Sequence, residues 1–418
     1  MSDKHIKKIV IIMRHGVRAP NQTPEKLKEW SLRTWPEWPV KPGYLTNRGR
    51  ELITVLWRIL RNEHPYYQLL FEDGRCVAAE DIFIHADIDE RTQASAAVFA
   101  EALAPECPIS YYITSDKTLD PVYHPIRGTI CKFTRDESED ELIDLVGDSF
   151  NELAKEFSSQ LDFVTDLLGP MPVLTCKEYG VGANCVLKDL PPRINFANSG
   201  RTVNVRGALG IKATLIQNWL LEAAQWPNKT PGWGALTRDK LEELLVARAA
   251  IFNCLNRADG YSRDRGSAIL KSVCDALSGT HEDSRVNDAR LVMYMGHDTN
   301  MAHISDLLGL EWDLDTYTVN DIPPGSFLQF SLWEDSLKRK SVSAEFVAQP
   351  LDVLLSDKPE LAEPAYVLKK LQFVPREPSE LSEAFPEYAL DTFRAVVDKM
   401  VNFDCIPPMG SLILGRKQ

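Results

Sequence analysis

The sequence predicts an α/β fold in which a mixed central sheet is flanked by helices and carries an inserted, mostly helical second domain. Short, continuous apolar runs, which are typical of buried strands, alternate with stretches of helical periodicity in both outer parts of the chain. Between about residues 135 and 257 the apolar residues instead keep helical spacing, with little strand-like alternation. The length of 418 residues also leaves room for more than one domain.

The predicted elements follow one another as strand, loop and helix. Apolar runs predict buried strands at residues 7–13, 82–86 and 291–295, and strand-like runs at 327–332 and 342–347. Helical spacing follows each of the first three strands, and it predicts further helices at about 263–278 and 386–401. In the helix after Thr46, for example, Leu52, Leu56 and Ile59 fall on one face.

The composition excludes several classes of protein. Asp and Glu number 60 against 47 Lys and Arg, a formal charge of −13, which disfavours nonspecific binding to nucleic acid or to an anionic membrane. No apolar run approaches the roughly 18 residues of a membrane span. The eight cysteines are an even number, so disulfide bonds are compatible with the composition.

Charged side chains suited to an oxyanion follow three of the predicted strands. Ligands of open α/β sheets collect at the carboxyl ends of strands, so these side chains are expected to converge there. Arginine grips a phosphoryl group through paired, charge-assisted hydrogen bonds. The candidate residues are Arg14, His15 and Arg18 after the first strand, Arg91 after the second, and His297 and Asp298 after the third.

Chemistry assigns a role to each group. Surrounding cations disfavour the imidazolium of His15, and a neutral imidazole nitrogen can attack phosphorus to form a phosphohistidine. Asp298 is the candidate donor of a proton to the departing alkoxide, and His297 can donate a hydrogen bond to the equatorial oxygens. Gly16 is expected to let the backbone pass close to the bound group.

Each motif taken alone has a simpler explanation. Arg-His-Gly is a short and unspecific match, the pair His297-Asp298 could bind a metal or cap a helix, and Arg91 could form a surface salt bridge. Convergence of three strand ends favours the phosphate site, and no His or Cys cluster has zinc spacing. His85 is expected to pack at a strand end. The other histidines are expected on the surface or in loops, without a catalytic role: His5, His64, His124, His281 and His303.

Residues 14–20, Arg-His-Gly-Val-Arg-Ala-Pro, together with Gly-His-Asp-Thr-Asn at 296–300, resemble the histidine acid phosphatases, branch 2 of the histidine phosphatase superfamily. The likeness is closer to the bacterial subgroup of periplasmic phytases and glucose-1-phosphatases. It extends to segments 35–40, 43–49, 87–92, 103–107, 231–234 and 323–325, and so covers most of the chain.

The resemblance implies a fold and a mechanism. It implies a phosphoglycerate-mutase-like α/β catalytic domain formed by residues 1–134 and 258–418, a helical insertion at 135–257, and an active site in the cleft between them. It implies a phosphohistidine on His15, Asp298 as proton donor, an acidic optimum, and neither metal nor cofactor. The phosphate would be bound by Arg14, Arg18, Arg91 and His297, with Thr299 in the same motif.

The resemblance also implies three disulfides, Cys76–Cys107, Cys131–Cys405 and Cys176–Cys185. Cys254 and Cys274 have no counterpart in that pattern and are expected to be thiols. Such pairing implies a periplasmic or secreted protein. The N-terminus lacks the apolar stretch of a signal peptide, as expected of a mature or trimmed chain.

Three departures from the phytase pattern bear on the substrate. Asn21 and Gln22 stand where the phytases usually carry a lysine, Gln217 where they carry an acidic residue, and Arg248 where they carry a histidine. We count Gln22, Gln217 and Arg248 as candidate substrate-binding residues. Catalysis should be unaffected, whereas a preference for inositol hexakisphosphate is in doubt.

The first functional hypothesis is therefore an acid phosphomonoesterase that acts on phytate or a sugar phosphate. One alternative is a mutase- or bisphosphatase-like member of the superfamily, which Val17 disfavours because that branch has an acidic residue soon after Arg-His-Gly. Another is a catalytically silent phosphate- or inositol-phosphate-binding protein, which would need neither His15 nor Asp298. The expected partner is a small phosphomonoester, with no nucleic acid or membrane, for a monomer or homodimer.

Overall fold

The computed structural model describes most of the chain. The described residues are 4–71, 76–115, 118–127, 131, 150–197, 202–258, 260–374, 384–408 and 414–417. Among these residues, no helix is both long enough and apolar enough to cross a membrane.

A nine-stranded mixed sheet forms the centre of the molecule. Its strands are β1 (His5–Arg14), β2 (Ile82–Ala86), β3 (Tyr111–Thr114), β6 (Leu291–Gly296), β7 (Phe327–Glu334), β8 (Lys340–Ala348), β9 (Val367–Lys370), β10 (Glu387–Ala389) and β11 (Leu414–Lys417). The order is β10-β8-β7-β1-β6-β2-β3-β11, with β9 also paired to β8. The neighbours β1, β6, β2 and β3 run parallel to one another, and the outer pairs are antiparallel. The predicted fold class, mixed α/β with a sheet flanked by helices, is confirmed.

Helices cover both faces of the sheet. In the first and last parts of the chain they are α1 (Pro24–Lys28), α2 (Asn47–Glu63), α3 (Pro65–Leu69), α4 (Glu90–Leu103), α9 (Tyr261–Ser278), α10 (Ser284–Asp288), α11 (Asp298–Leu307), α12 (Leu351–Leu354) and α13 (Leu390–Met400). The structure of the first strand explains why its sequence is a continuous apolar run. Val10 and Ile12 pack into one core, whereas Ile9, Ile11 and Met13 pack into another, so both faces of the strand are buried.

The stretch predicted as a helical insertion contains helices and one hairpin. The helices are α5 (Ser158–Leu168), α6 (Val173–Glu178), α7 (Gly207–Gln225) and α8 (Arg238–Asn256), and residues 150–156 are also helical. The antiparallel hairpin of β4 (Arg193–Ala197) and β5 (Thr202–Arg206) was not predicted. The predicted boundary at residues 134 and 135 lies outside the described residues, and the division into two domains stays a prediction.

The tail of the chain differs from the prediction in several short elements. The helix predicted at 386–401 begins only at Leu390, because Glu387–Ala389 pairs with β8 as an edge strand. The short strands β3, β9 and β11 were also missed. They pair at the outer parts of the sheet, and runs of four residues without alternating burial carry little periodic signal.

Three disulfides join cysteines separated by 9 to 274 residues along the chain. The pairs are Cys76–Cys107, Cys131–Cys405 and Cys176–Cys185, as the sequence resemblance implied. Cys254, which is partly exposed, and Cys274, which is buried, are the two cysteines outside these pairs.

Candidate active site

The carboxyl ends of three adjacent parallel strands form the site. Arg14, the last residue of β1, pairs in register with Gly296 of β6, so His15 and His297 follow the two strands side by side. Their rings meet edge to face with centroids 5.6 Å apart. The next strand, β2, leads through Asp87 and Asp89 into α4, whose first turn carries Arg91. The structure therefore brings together the groups that the sequence placed at three strand ends.

His15 is buried and held in one orientation. Its Nδ1 lies 2.9 Å from the carbonyl oxygen of Gly16, which accepts the ring proton, so Nε2 carries the lone pair. Burial, followed by the positive charges of Arg91 and Arg18, lowers the pKa of His15 well below its ordinary value. A neutral imidazole with a fixed lone pair is the form that can attack an electrophile.

Gly16 packs closely against the start of α2. A Cβ atom at this position would lie 2.8 Å from Ile53 Cδ1 and 3.0 Å from the carbonyl oxygen of Gly49, both in α2. The expectation that Gly16 also lets the backbone pass close to the bound group stays a prediction. The glycine lets the turn after β1 rest directly against the start of α2.

Arg14, Arg18 and Arg91 surround His15 with positive charge. Arg14 is buried; it donates to the Ile322 carbonyl oxygen and lies 2.9 Å from Asp298 Oδ2. Arg91 lies 2.6 Å from Asp89 Oδ2. The Nε atoms of all three guanidiniums are buried without a hydrogen-bond partner in the described residues. Unsatisfied donors around one pocket suit an anion that accepts several hydrogen bonds.

Asp298 opens α11 and faces two guanidiniums. Its Oδ2 lies 2.9 Å from Arg14 Nη2 and 3.6 Å from Arg248 Nη2. Burial acts to raise the pKa of Asp298, but the charges of Arg14 and then Arg248 outweigh it, so the pKa is lowered. The helix start itself is capped by Asn300, whose Oδ1 accepts from the His297 backbone N–H at 3.0 Å. Asp298 Oδ1 accepts from the Thr299 backbone N–H at 3.0 Å, and Oδ2 is the oxygen that faces the guanidiniums.

Arg248 reaches the site from α8 and is paired with a second carboxylate. Its Nη1 lies 2.6 Å from Oδ1 of Asp321, which is buried. Arg248 therefore shares its charge between Asp321 and Asp298. Sequence reasoning identified Arg248 but missed Asp321, which no motif marks.

His297 is oriented by a buried carboxylate that it shares with another histidine. Its Nε2 lies 2.7 Å from Asp87 Oδ2, and His124 Nε2 lies 2.8 Å from the same oxygen. Burial lowers the pKa of His297, although Asp87 opposes the change. Burial acts to raise the pKa of Asp87, but the hydrogen bonds from His124 and His297 outweigh it and lower the pKa. His124 was expected on the surface or in a loop without a catalytic role; it does lie in a loop with a partly exposed side chain, but its contact with Asp87 was not predicted.

Among the described residues, Asp87, His124 and His297 form one group whose ligand atoms could hold a metal ion. At 2.7 and 2.8 Å, however, each Nε2 donates its proton to the carboxylate, and a cation would have to replace both protons. The arrangement fits a hydrogen-bond network better than a metal centre.

Burial corrects one more histidine prediction. His303, expected on the surface or in a loop, is buried in α11, and burial lowers its pKa to about 3. His281 lies in a loop, as expected, where it is partly buried and lies 3.0 Å from Ser272 Oγ. His85 is packed near the end of β2, as expected, and its Nε2 lies 2.7 Å from Asp120 Oδ2.

A pocket of about 380 Å³ opens in front of Asp298. Arg14, Arg18 and Asp298 line its base, and α7, α8 and β5 supply its wall. Besides Arg248, the wall is rich in neutral polar side chains: Asn21, Gln22, Asn204, Thr214, Gln217, Asn218, Asn256 and Thr299. The candidates Gln22, Gln217, Arg248 and Thr299 thus all line the pocket.

The amide side chains of the wall are loosely held. Gln22 Oε1 accepts from Asn218 Nδ2 at 3.1 Å. Gln217 Oε1 lies 3.5 Å from Arg14 Nη2, and its Nε2 is buried without a partner among the described residues. An amide group that has unused hydrogen-bonding capacity can serve a hydroxyl-bearing ligand.

Comparisons with known proteins agree on one family. A sequence model of the histidine phosphatase superfamily (branch 2) matches residues 5–142 and 230–347. The phytase AppA of Escherichia coli K12 is 31% identical over 336 residues, which are 78% of this chain and 77% of that protein. A glucose-1-phosphatase of Providencia rettgeri is 23% identical over 84% of this chain and 82% of its own length.

A solved structure extends the match to the fold. The Hafnia alvei phytase in complex with tartrate is 28% identical and has a TM-score of 0.83, over 97% of this chain and 99% of that one. The same enzyme has also been solved in complex with myo-inositol hexakis sulphate.

Proposed function

Because this chain belongs to the histidine phosphatase superfamily (branch 2) and is a histidine acid phosphatase, we propose that it cleaves phytate or a sugar phosphate with His15 as nucleophile and Asp298 as proton donor. The observation that carries this assignment is the fixed tautomer of His15. With its Nδ1 proton held by the Gly16 carbonyl, the Nε2 lone pair lies among Arg14, Arg18 and Arg91. These residues combine a nucleophile with the charge that binds a phosphoryl group.

In the first step, His15 Nε2 attacks phosphorus and the bond from phosphorus to the ester oxygen breaks. The arginines and His297 stabilise the charge on the equatorial oxygens as the phosphoryl group is transferred. Asp298 gives its proton to the leaving alkoxide, which departs as an alcohol. In the second step, a water molecule loses a proton to the Asp298 carboxylate and attacks the phosphohistidine, which releases inorganic phosphate and the free imidazole.

The proton-donor role predicts an acidic optimum. Asp298 must be protonated to donate, and the charges of Arg14 and Arg248 outweigh the effect of burial and lower its pKa. The protonated form is therefore lost as pH rises through that pKa, and activity on alkyl phosphates falls with it. A bound phosphate dianion that takes the hydrogen bonds of Arg14 would leave Asp298 easier to protonate.

The decisive test is single-turnover labelling with a phosphomonoester that carries a radioactive phosphoryl group. The expected product is an acid-labile phosphoenzyme in the wild type and none in His15→Ala. A phosphoenzyme that persists in His15→Ala would refute the assignment. Activity should also survive EDTA, because no step passes through a metal, and strong inhibition by EDTA would reopen the metal hypothesis.

The choice between phytate and a sugar phosphate rests on the pocket wall. The relatives include both phytases and glucose-1-phosphatases, and the amides of the wall suit the hydroxyl groups of either substrate. A comparison of kcat/KM for phytate, glucose 1-phosphate and p-nitrophenyl phosphate between pH 3 and 7 would decide. We expect a small phosphomonoester as the partner, without nucleic acid or membrane, and a monomer or homodimer.

The disulfides and the position of the pocket support two further proposals. Three disulfides are typical of an oxidising compartment, which favours a periplasmic or secreted protein. The pocket between the strand ends and α7 and α8 supports an α/β catalytic domain of residues 1–134 and 258–418 with an insertion at 135–257. Limited proteolysis with mass spectrometry would test that boundary.

A further inference from the structure

Asp87 is a buried carboxylate that serves two histidines at once. Its Oδ2 accepts from His297 Nε2 at 2.7 Å and from His124 Nε2 at 2.8 Å, and its Oδ1 accepts from the Ile88 backbone N–H at 2.8 Å. The two rings lie 5.5 Å apart between centroids. His297 is buried beside the arginines, whereas the His124 side chain is 21% exposed. One carboxylate therefore connects a ring in the site with a ring at the solvent.

The contact at Nε2 decides what the other nitrogen of His297 can do. Nδ1 lies 3.5 Å from Arg91 Nη2 and so faces the cations of the site. In the neutral ring that donates through Nε2, Nδ1 carries a lone pair and cannot donate to a phosphate oxygen. Only the imidazolium donates at both nitrogens. Its stability depends on how much negative charge Asp87 presents to it.

We propose that His124 is a positioning residue which, through its hydrogen bond to Asp87 Oδ2, weakens the hold of Asp87 on a protonated His297 and so confines tight phosphate binding to acid pH. The proposal rests on the proposed function, because it takes phosphate as the ligand of His297. A second donor on the same oxygen draws charge from it and leaves less to stabilise the imidazolium. Without His124, His297 would stay cationic to higher pH.

Other charged groups also face His297, and all of them stay in place when His124 is changed. Asp89 Oδ2 lies 3.6 Å from its Nε2, and Arg91 lies at its Nδ1. His15 approaches from β1, and the carboxylate of Asp298 adjoins it in the chain. These groups set the starting pKa of His297. The charge of His124 also lowers the pKa of His297. Glutamine at position 124 lacks that charge but keeps an N–H, so the comparison of His124→Gln with the deletion variants isolates the hydrogen bond to Asp87.

The test measures binding of inorganic phosphate by isothermal titration calorimetry between pH 4 and 8. It uses the Asp298→Asn protein as parent, which removes the titration of the proton donor. His124→Leu and His124→Ala delete the donor, and His124→Gln keeps an N–H at a similar reach. In the deletion variants, we expect the pH at which Kd begins to rise to be higher than in the parent by about 0.5 to 1 pH unit. In His124→Gln that pH should stay within about 0.2 pH unit of the parent.

A second measurement follows His297 directly, through the ring-nitrogen chemical shifts of ¹⁵N-histidine-labelled protein. Its titration should move upward in the deletion variants by the same amount as phosphate binding. If all variants share one pH dependence, or if His124→Leu weakens phosphate binding by one factor at every pH, His124 is merely structural and the proposal is wrong. Failure of the proposed function would show differently, as absence of the phosphoenzyme in the wild type.

Discussion

The two sides of the site, the strand ends and the helical wall of the pocket, are built in different ways. At the strand ends, contacts of 2.6 to 2.9 Å fix His15, Arg91, His297 and Asp298 on one rigid sheet. On the wall formed by α7, the amide of Gln217 lies 3.5 Å from Arg14 and keeps an unused N–H group. Groups that must stabilise a transition state need fixed geometry, whereas groups that receive varied leaving groups do not.

The two sides of the site should affect different kinetic constants. Changes at the strand ends should lower kcat for every substrate, since the phosphoryl group is common to all of them. Changes on the helical wall should alter KM and the ratio between substrates. The expected effects therefore decrease from the strand ends to the helical wall.

The largest effect is expected at His15. His15→Ala removes the nucleophile, and kcat should fall by at least about 10³-fold on every phosphomonoester, activated or not. Steady-state assays with p-nitrophenyl phosphate and glucose 1-phosphate measure this loss. His5→Gln, at the exposed start of the same strand, is the matched control and should keep wild-type kcat. Residual activity within tenfold of wild type would mean that another group attacks phosphorus.

Asp298 should give a smaller effect that depends on the leaving group. Asp298→Asn keeps the shape of the side chain but cannot donate a carboxyl proton, so kcat on an alkyl phosphate should fall about 10² to 10⁴-fold. With p-nitrophenol, which leaves readily as an anion, the loss should be at least tenfold smaller. Equal losses on both substrates would assign Asp298 to binding through Arg14 rather than to proton transfer.

Arg248 and Asp321 should move the pH profile in opposite directions. Arg248→Met removes a cation 3.6 Å from Asp298, which raises the pKa of Asp298 and keeps it protonated to higher pH. The alkaline limb of kcat should therefore shift upward by about half a pH unit. Asp321→Asn frees the charge of Arg248, lowers the pKa of Asp298, and should shift the same limb downward.

The double variant Arg248→Met/Asp321→Asn separates charge from damage to the fold. It removes both buried charges, so neither is left without a partner, and the limb should lie near that of Arg248→Met. A shift in the same direction for both single variants would show that the pair acts on the pocket's structure and not on the acid.

The two sides of the site also differ in how many of their residues could be predicted from the sequence. The strand ends were predictable because β1 is buried on both faces, which gives a continuous apolar run, and the motif residues follow it directly. Asp87, His124 and Asp321 were missed as members of the site. Each acts on another side chain rather than on the ligand, and no spacing along the chain marks a contact that only folding creates. The same holds for the β4–β5 hairpin, which interrupts a run of helical periodicity.

Gln217 should give the smallest effect and the clearest test of the helical wall. Gln217→Leu removes an N–H donor that is unpaired among the described residues, at the cost of about one hydrogen bond to a substrate hydroxyl. KM for a hydroxyl-rich phosphomonoester should rise about three- to tenfold with kcat unchanged, and KM for p-nitrophenyl phosphate should hardly move. Thr214→Val, one turn earlier on α7, is the matched control, because its hydroxyl already donates to the Gly210 carbonyl oxygen at 2.8 Å. If Gln217→Leu instead lowered kcat on every substrate, the amide would belong to the rigid half of the site, because it would then be holding Arg14 against the phosphoryl group.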